Sequence, residues 1–158
     1  MPDVRELYQS VILDHNRAPR NYGPLADANG HARGHNPLCG DEVTVWVRVA
    51  GERIEEIRFV GSGCAISKAS ASLMTAAVTG RTIDEAETLA QRFHALVTGR
   101  AAGSPPDPTL GRLAVLGGVS QYPARVKCAS LAWHAMHAAL EEAATPLRSV
   151  PPPDFGAP

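Results

Sequence analysis

Three cysteines and one aspartate carry the residue types best suited to chemistry in this chain. Cys39 sits in His35-Asn36-Pro37-Leu38-Cys39-Gly40-Asp41, where Pro37 and Gly40 mark a turn, and turns run over the surface. Asp41 follows two residues later, so a sulfur and a carboxylate oxygen can aim at one point. Cys64 follows Gly61-Ser62-Gly63 and precedes a helical pattern. A thiol there feels the positive end of the helix, which favours thiolate. Cys128 follows Arg125 and Lys127 near the start of the last helix, and cationic neighbours again favour thiolate. Such cysteines can be buried filler, metal ligands or reactive thiols. Their places at element boundaries, beside Gly, Pro or charge, point away from filler.

A fully protein-ligated zinc ion takes four ligands among Cys, His, Asp and Glu, so three thiolates and Asp41 would complete a tetrahedron. The spacing is long-range: 24 residues separate Cys39 from Cys64, and 63 separate Cys64 from Cys128. The fold must therefore bring two loops and a helix start together. A turn carrying both a thiolate and a carboxylate can release a ligand, and a freed thiolate can attack a persulfide or disulfide sulfur. His35 is near enough to Cys39 to serve as a reserve ligand. His94, His134 and His137 fall on helical patterns and read as structural or solvated. No nucleophile elbow and no phosphate-cradling loop followed by Lys-Ser/Thr is present.

The elements that position these residues are legible in outline. Asp3 and Glu6 suggest a capping box, and Val4, Leu7, Tyr8, Val11 and Ile12 give a helical stripe that ends before Pro19 and Pro24. A short edge strand is expected near Gly30 to Gly34. From Glu42 to Val49, valines alternate with Glu42, Thr44, Trp46 and Arg48, the pattern of a strand covered on one side. Ala50-Gly51-Glu52 reads as a hairpin turn. Ile54, Ile57 and Phe59 then imply a strand with a bulge near Glu55-Glu56.

Helices follow. Ile66, Ala69, Leu73, Ala77 and Val78 form one stripe, stopped at Gly80. Thr82 and Glu85 form a second capping box, and Ile83 to Val97 continue it. Gly99 to Pro108 reads as a linker, and Leu110 to Leu116 as a short apolar piece. Pro123 opens a final helix to about Ala144, with Val126, Ala129, Trp133, Met136 and Leu140 on its face. The expected fold class is α+β, a small antiparallel β-sheet with α-helices packed on one face. The expected domain covers 1–146, followed by a flexible Pro-rich tail, 147–158.

Composition narrows the function classes. With 158 residues, 44% hydrophobic and 20% charged, the chain is neither disordered nor fibrous. Fifteen Lys and Arg against sixteen Asp and Glu leave a net charge of −1, which argues against nucleic acid as a partner. No apolar run approaches the roughly 20 residues of a membrane span, and the N-terminal segment lacks a signal peptide's pattern. The odd cysteine count argues against a disulfide framework. Together these lead to the expectation of a cytoplasmic protein.

Four ordered blocks carry a family resemblance across about residues 5–143. They are Leu7-Tyr8 to Pro19-Arg20-Asn21, Gly34-His35-Asn36-Pro37-Leu38-Cys39-Gly40-Asp41, Gly61-Ser62-Gly63-Cys64-Ala65-Ile66-Ser67 with Ala69-Ser70-Ala71-Ser72, and Gly118-Val119-Ser120 through Pro123-Ala124-Arg125-Val126-Lys127-Cys128-Ala129. The chain resembles the U-type (IscU/NifU N-terminal-like) iron–sulfur cluster assembly family, and within it the SufU-type, zinc-dependent branch. The resemblance implies Zn2+ held by Cys39, Asp41, Cys64 and Cys128, with Cys39 as sulfur acceptor once a histidine of the partner displaces it. Arg125 matches a position implied in partner docking or thiolate stabilisation. The implied partners are a SufS-type cysteine desulfurase and downstream iron–sulfur assembly proteins.

IscU-type scaffolds carry His immediately before the third cysteine, where this chain has Lys127, a poor ligand while protonated. They also carry Leu-Pro-Pro-Val where Tyr122-Pro123-Ala124-Arg125-Val126 stands here. The long gap before Cys128 accommodates a SufU-type insertion at about 98–118. These features favour a sulfur carrier with sulfurtransferase-like activity. The alternatives are a scaffold that builds an iron–sulfur cluster on the same thiolates, and a structural zinc module that only binds partners.

Overall fold

The computed structural model of the protein describes residues 4–37, 40–100 and 107–144. Cys39, Asp3, the middle of the Gly99–Pro108 linker and the Pro-rich tail lie outside the described residues. The chain runs α1 (Val4–Arg17), β1 (Gly30–Asn36), β2 (Asp41–Ala50), β3 (Arg53–Ser62), α2 (Ala65–Val78), α3 (Ile83–Val97), a 3-10 segment (Pro108–Gln121) and α4 (Pro123–Ala144). The strands form an antiparallel sheet in the order β1-β2-β3. This is the expected α+β architecture. The edge strand runs two residues beyond Gly34, to Asn36.

The alternation of β2 sets which face is covered. Val43, Val45, Val47 and Val49 are buried, whereas Glu42, Thr44, Trp46 and Arg48 are half-buried on the other face. Gly51 adopts φ 62° in the turn to β3, where Ala50 pairs with Arg53. Arg48 then faces Glu56 while Val49 faces Ile54, so Glu55 is the extra, bulged residue. That one insertion lets Ile54 and Ile57 both reach the core.

α2 is the central helix, packed against α1, β3, α4 and the 3-10 segment. The expected single stripe is too narrow: Ser67, Ser70, Ser72 and Thr75 are buried as well. The hydroxyls of Ser70, Ser72 and Thr75 bond across elements. Ser70 Oγ donates to Ala129 O at 2.6 Å and accepts from Trp133 Nε1 at 3.2 Å. Ser72 Oγ accepts from the Arg20 backbone N–H at 2.8 Å and lies 2.7 Å from His15 Nδ1. Each such bond removes a cost of about 1–3 kcal/mol for an unpaired buried group. The Thr82–Glu85 capping box is present in both halves, and α4 starts at Pro123 as expected.

The piece expected at Leu110 to Leu116 belongs to a longer 3-10 segment, Pro108–Gln121, interrupted at Gly111. Its buried residues are Leu110, Leu113, Leu116 and Val119. They recur every three residues, the period of a 3-10 helix rather than an α-helix.

α4 closes over β1 and β2. The approach is tightest at Gly30, where an added Cβ would fall on the Ala139 carbonyl oxygen and lie 2.9 Å from Ala143 Cβ. Gly30→Ala should therefore destabilise the fold by about 1–3 kcal/mol, read as a lower urea midpoint. An unchanged midpoint would mean that α4 does not seat there.

His15 supplies a pH-dependent term. Burial pulls its imidazole below the usual value, Arg20's charge adds to this, and Asp14 opposes it. The unfolded chain therefore binds a proton more readily below about pH 6.5. Stability should fall as the pH drops through that value, and the slope should flatten in His15→Gln, measured by urea unfolding across the range. An unaltered slope would contradict this assignment.

Candidate metal centre

The β1–β2 hairpin mouth, the end of β3 and the start of α4 meet at one place. Asn36 pairs with Asp41 as the hairpin closes, and Gly40 (φ 77°) donates its N–H to Asn36 O at 2.8 Å. Glu42 pairs with Ser62, which brings the end of β3 beside Asp41. The chain then turns through Gly63 (φ 132°) into Cys64, the N-cap of α2. Cys128 arrives on the second turn of α4. The ligand atoms of Asp41, Cys64 and Cys128 all lie within 4.8 Å of one another, and no other group of three or more His, Cys, Asp or Glu among the described residues does this.

Asp41 is 1% exposed, and a carboxylate so buried must be compensated. Its Oδ1 accepts the Cys64 backbone N–H at 2.8 Å, and the Cys64 thiol donates to Oδ2 at 3.5 Å. Cys64 Sγ in turn accepts the Ser67 N–H at 3.4 Å, so it fills the N-cap role and sits at the positive end of α2. Cys64 is half-buried and Cys128 is buried.

A metal fits this donor set. Zinc holds sulfur at about 2.3 Å and carboxylate oxygen at about 2.1 Å, which puts neighbouring ligand atoms about 3.6 Å apart in a tetrahedron. The sulfur–oxygen separation of 3.5 Å matches that spacing. Gly63 completes the fit. A Cβ there would land on Asp41 Oδ1 and lie 2.7 Å from its Cγ, so only glycine leaves room for the carboxylate.

Of the residues expected at the site from sequence, Asp41, Cys64 and Cys128 are together. Cys39 lies outside the described residues, two positions before Asp41 in the chain. His35 is exposed and pairs with Glu42, placing it on the sheet face opposite Asp41. Lys127 is exposed. Arg125 is exposed, three residues before Cys128 and so on the same side of α4.

Two tyrosines missed in the sequence frame Arg125. Its guanidinium lies 4.9 Å from the Tyr122 ring centroid, a cation–π contact. Burial raises the Tyr8 phenol above its usual value, and the charge and hydrogen bond of Arg125 oppose this. The helical stripe marks Tyr8 only as packing; its hydroxyl partner comes from α4. On the far side, Lys68 Nζ lies 5.2 Å from the Tyr22 ring centroid.

The comparisons with known proteins agree with this architecture. Residues 7–129 match the family model described as the NifU-like N-terminal domain. The chain is 39% identical over 141 residues to the iron-sulfur cluster assembly scaffold protein IscU of Streptococcus pyogenes serotype M1, covering 89% of this chain and 87% of that one. It is 41% identical over 130 residues to the zinc-dependent sulfurtransferase SufU of Bacillus subtilis strain 168, covering 82% and 86%. A crystal structure from Fervidobacterium islandicum AW-1, described as a scaffold protein for the SUF system, superposes with a TM-score of 0.77 at 32% identity. It covers 85% of this chain and 96% of that one.

Gly63→Ala tests the site without removing a donor. It should weaken zinc affinity at least about tenfold, measured by chelator competition, because it displaces Asp41. Unchanged affinity would remove Asp41 from the ligand set.

Proposed function

This chain belongs to the NifU-like N-terminal domain family, and we propose that it accepts sulfane sulfur on Cys39 from a SufS-type cysteine desulfurase for iron–sulfur cluster assembly. In this reading Cys39, Asp41, Cys64 and Cys128 hold Zn2+. The observation that carries it is the convergence of Asp41, Cys64 and Cys128 at the β1–β2 hairpin, with Cys39 two positions before Asp41 in the sequence. Bound zinc would keep its thiol ligands deprotonated at neutral pH.

The chain's own residues do the rest. Asp41 and Cys64 fix one side of the site through the Cys64 N–H and the start of α2. Cys39 stands in the sequence between Asn36 and Asp41, the two residues whose pairing closes the hairpin. Its thiolate attacks the outer sulfur of the desulfurase's cysteine persulfide. The thiolate lone pair forms the new S–S bond, the old S–S bond breaks, and its electron pair leaves with the desulfurase cysteine as thiolate. No external oxidant or reductant is needed. Arg125, held against Tyr122, offers a guanidinium to sulfur anions on the α4 side. The similarity to the B. subtilis sulfurtransferase supports this reading, and so does Lys127 beside Cys128, which supplies charge in place of an imidazole donor.

A second reading has support in the S. pyogenes relative, named a scaffold: the same thiolates would assemble an iron–sulfur cluster as cargo. One experiment separates them. Wild-type chain and Cys39→Ser are incubated with the desulfurase and cysteine, and cysteine turnover and chain-bound sulfane sulfur are measured by mass mapping. The proposal expects stimulation and a sulfur adduct on Cys39 in the wild type, and turnover at the level of desulfurase alone in Cys39→Ser. Undiminished stimulation by Cys39→Ser would overturn it. A brown, transferable cluster after anaerobic reconstitution, with no adduct on Cys39, would establish the scaffold instead.

A further inference from the structure

Among the described residues two cations lie over aromatic rings, and both do so beside the metal centre. Arg125, over Tyr122, stands three residues before Cys128 on α4. Lys68 lies over Tyr22, its ammonium 5.2 Å from the ring centroid. It is one turn beyond Cys64 on α2, and its backbone N–H donates to Cys64 O at 3.2 Å. Residues four apart share a helix face, so Lys68 and Cys64 belong to one side of α2. The centre thus has a tyrosine-backed cation on its α4 side and another on its α2 side.

The Tyr22 ring is firmly placed. Its hydroxyl donates to Gly61 O at 3.2 Å, three residues before Cys64. It meets the fully buried Phe59 edge-on, with ring centroids 5.1 Å apart and planes at 88°. The chain on either side of it pairs with Phe59, whose N–H donates to Asn21 O at 3.1 Å and whose carbonyl accepts the Gly23 N–H at 2.9 Å. An ammonium over such a ring keeps its charge and gives up side-chain freedom before any partner arrives.

Two features give this rim the character of a protein interface. The exposed large hydrophobic residues among those described are Leu13, Tyr22 and Tyr122, so two of the three are the rings that carry the cations. Tyrosine and arginine are the side chains that most often anchor protein interfaces. Charge is the second feature. Neither Lys68 nor Arg125 is ion-paired to a described carboxylate. Arg33 and Arg58, on the open face of the sheet, each hold a glutamate. The rim cations are left to meet an anion from outside the chain.

We infer that Lys68, positioned by Tyr22, is a docking residue for the sulfur donor and pairs with a carboxylate on that protein's surface. The inference rests on the proposed function for the donor's identity. A single charge contact at Arg125 leaves a docked protein free to swivel. A second one across the centre fixes its orientation, which transfer between two sulfurs requires.

The test is binding of the zinc-loaded full chain to the cysteine desulfurase, measured by calorimetry without cysteine, so that no sulfur transfer is required. Lys68→Gln should weaken binding about five- to tenfold and flatten its dependence on salt. Lys68→Arg, which keeps the charge and stacks on tyrosine, should restore the affinity to within about twofold. Tyr22→Leu should weaken binding of the wild type but add no loss to Lys68→Gln, because the ring acts through the ammonium. Arg53→Gln removes the same charge at the opposite end of β3 and should bind as the wild type does. Zinc affinity should be equal in Lys68→Gln and wild type. The inference is overturned if Lys68→Gln binds the desulfurase unimpaired, if Arg53→Gln weakens binding equally, or if Lys68→Gln loses zinc in step with the donor. Failure of the acceptor reading looks different: binding would depend on Lys68, yet no sulfur adduct would form on Cys39 after turnover. Absence of any wild-type binding would overturn both.

Discussion

The Asp41 carboxylate is almost wholly withdrawn from water, and the surroundings of the site follow from keeping it there. A buried charge costs several kcal/mol unless hydrogen bonds, an opposite charge or a metal compensate. The Cys64 N–H meets one carboxylate oxygen and the Cys64 thiol the other. The same contact joins the first residue of β2 to the N-cap of α2, so the sheet and the central helix are pinned together at the site. Gly63 has to lack a side chain for this to happen.

That pin explains why three residues so far apart in sequence converge. β2 and β3 are held in register through their covered face, the β2 valines against Ile54, Ile57 and Phe59, and the bulge at Glu55 re-aims the β2–β3 pairing at its other end. α2 leaves the end of β3 and is buried on most sides, with Ser70 and Ser72 tying it to α4 and to the chain after α1. α4 is then brought down onto β1 over Gly30, delivering Cys128 beside Asp41. The Asp41, Cys64 and Cys128 donors are thus preorganised by the rigid elements of the fold, whereas Cys39 comes from the sequence that joins β1 to β2. Under the proposed function, three fixed ligands and a fourth from the β1–β2 connection would suit a site that keeps its ion yet offers one thiolate to a visiting protein.

Much of this was legible from residue types and local pattern. Gly61-Ser62-Gly63 before an apolar helical run marks Cys64 as a helix start, and the uneven Ile54, Ile57 and Phe59 mark the bulge, because both signals are local. The grouping of Asp41, Cys64 and Cys128 was open to donor chemistry together with the family resemblance. Other features depend on partners distant in sequence and escaped. The Leu110, Leu113, Leu116 and Val119 series has period three, so a search for α-helical spacing finds only part of it. Ser70 and Ser72 look polar in a helix until Trp133, Ala129 and Arg20 are brought to them. His94, His134 and His137 read as solvated or structural residues on separate helices, and only the packing of α3 against α4 gathers them around one cavity.

X-ray absorption at the zinc edge of the purified chain tests the centre most directly. The account predicts one tightly held zinc with three sulfurs at about 2.3 Å and one oxygen at about 2.1 Å, falling to two sulfurs in Cys39→Ser. A first shell built of nitrogen and oxygen, or a wild-type sulfur count that Cys39→Ser leaves unchanged, would contradict it.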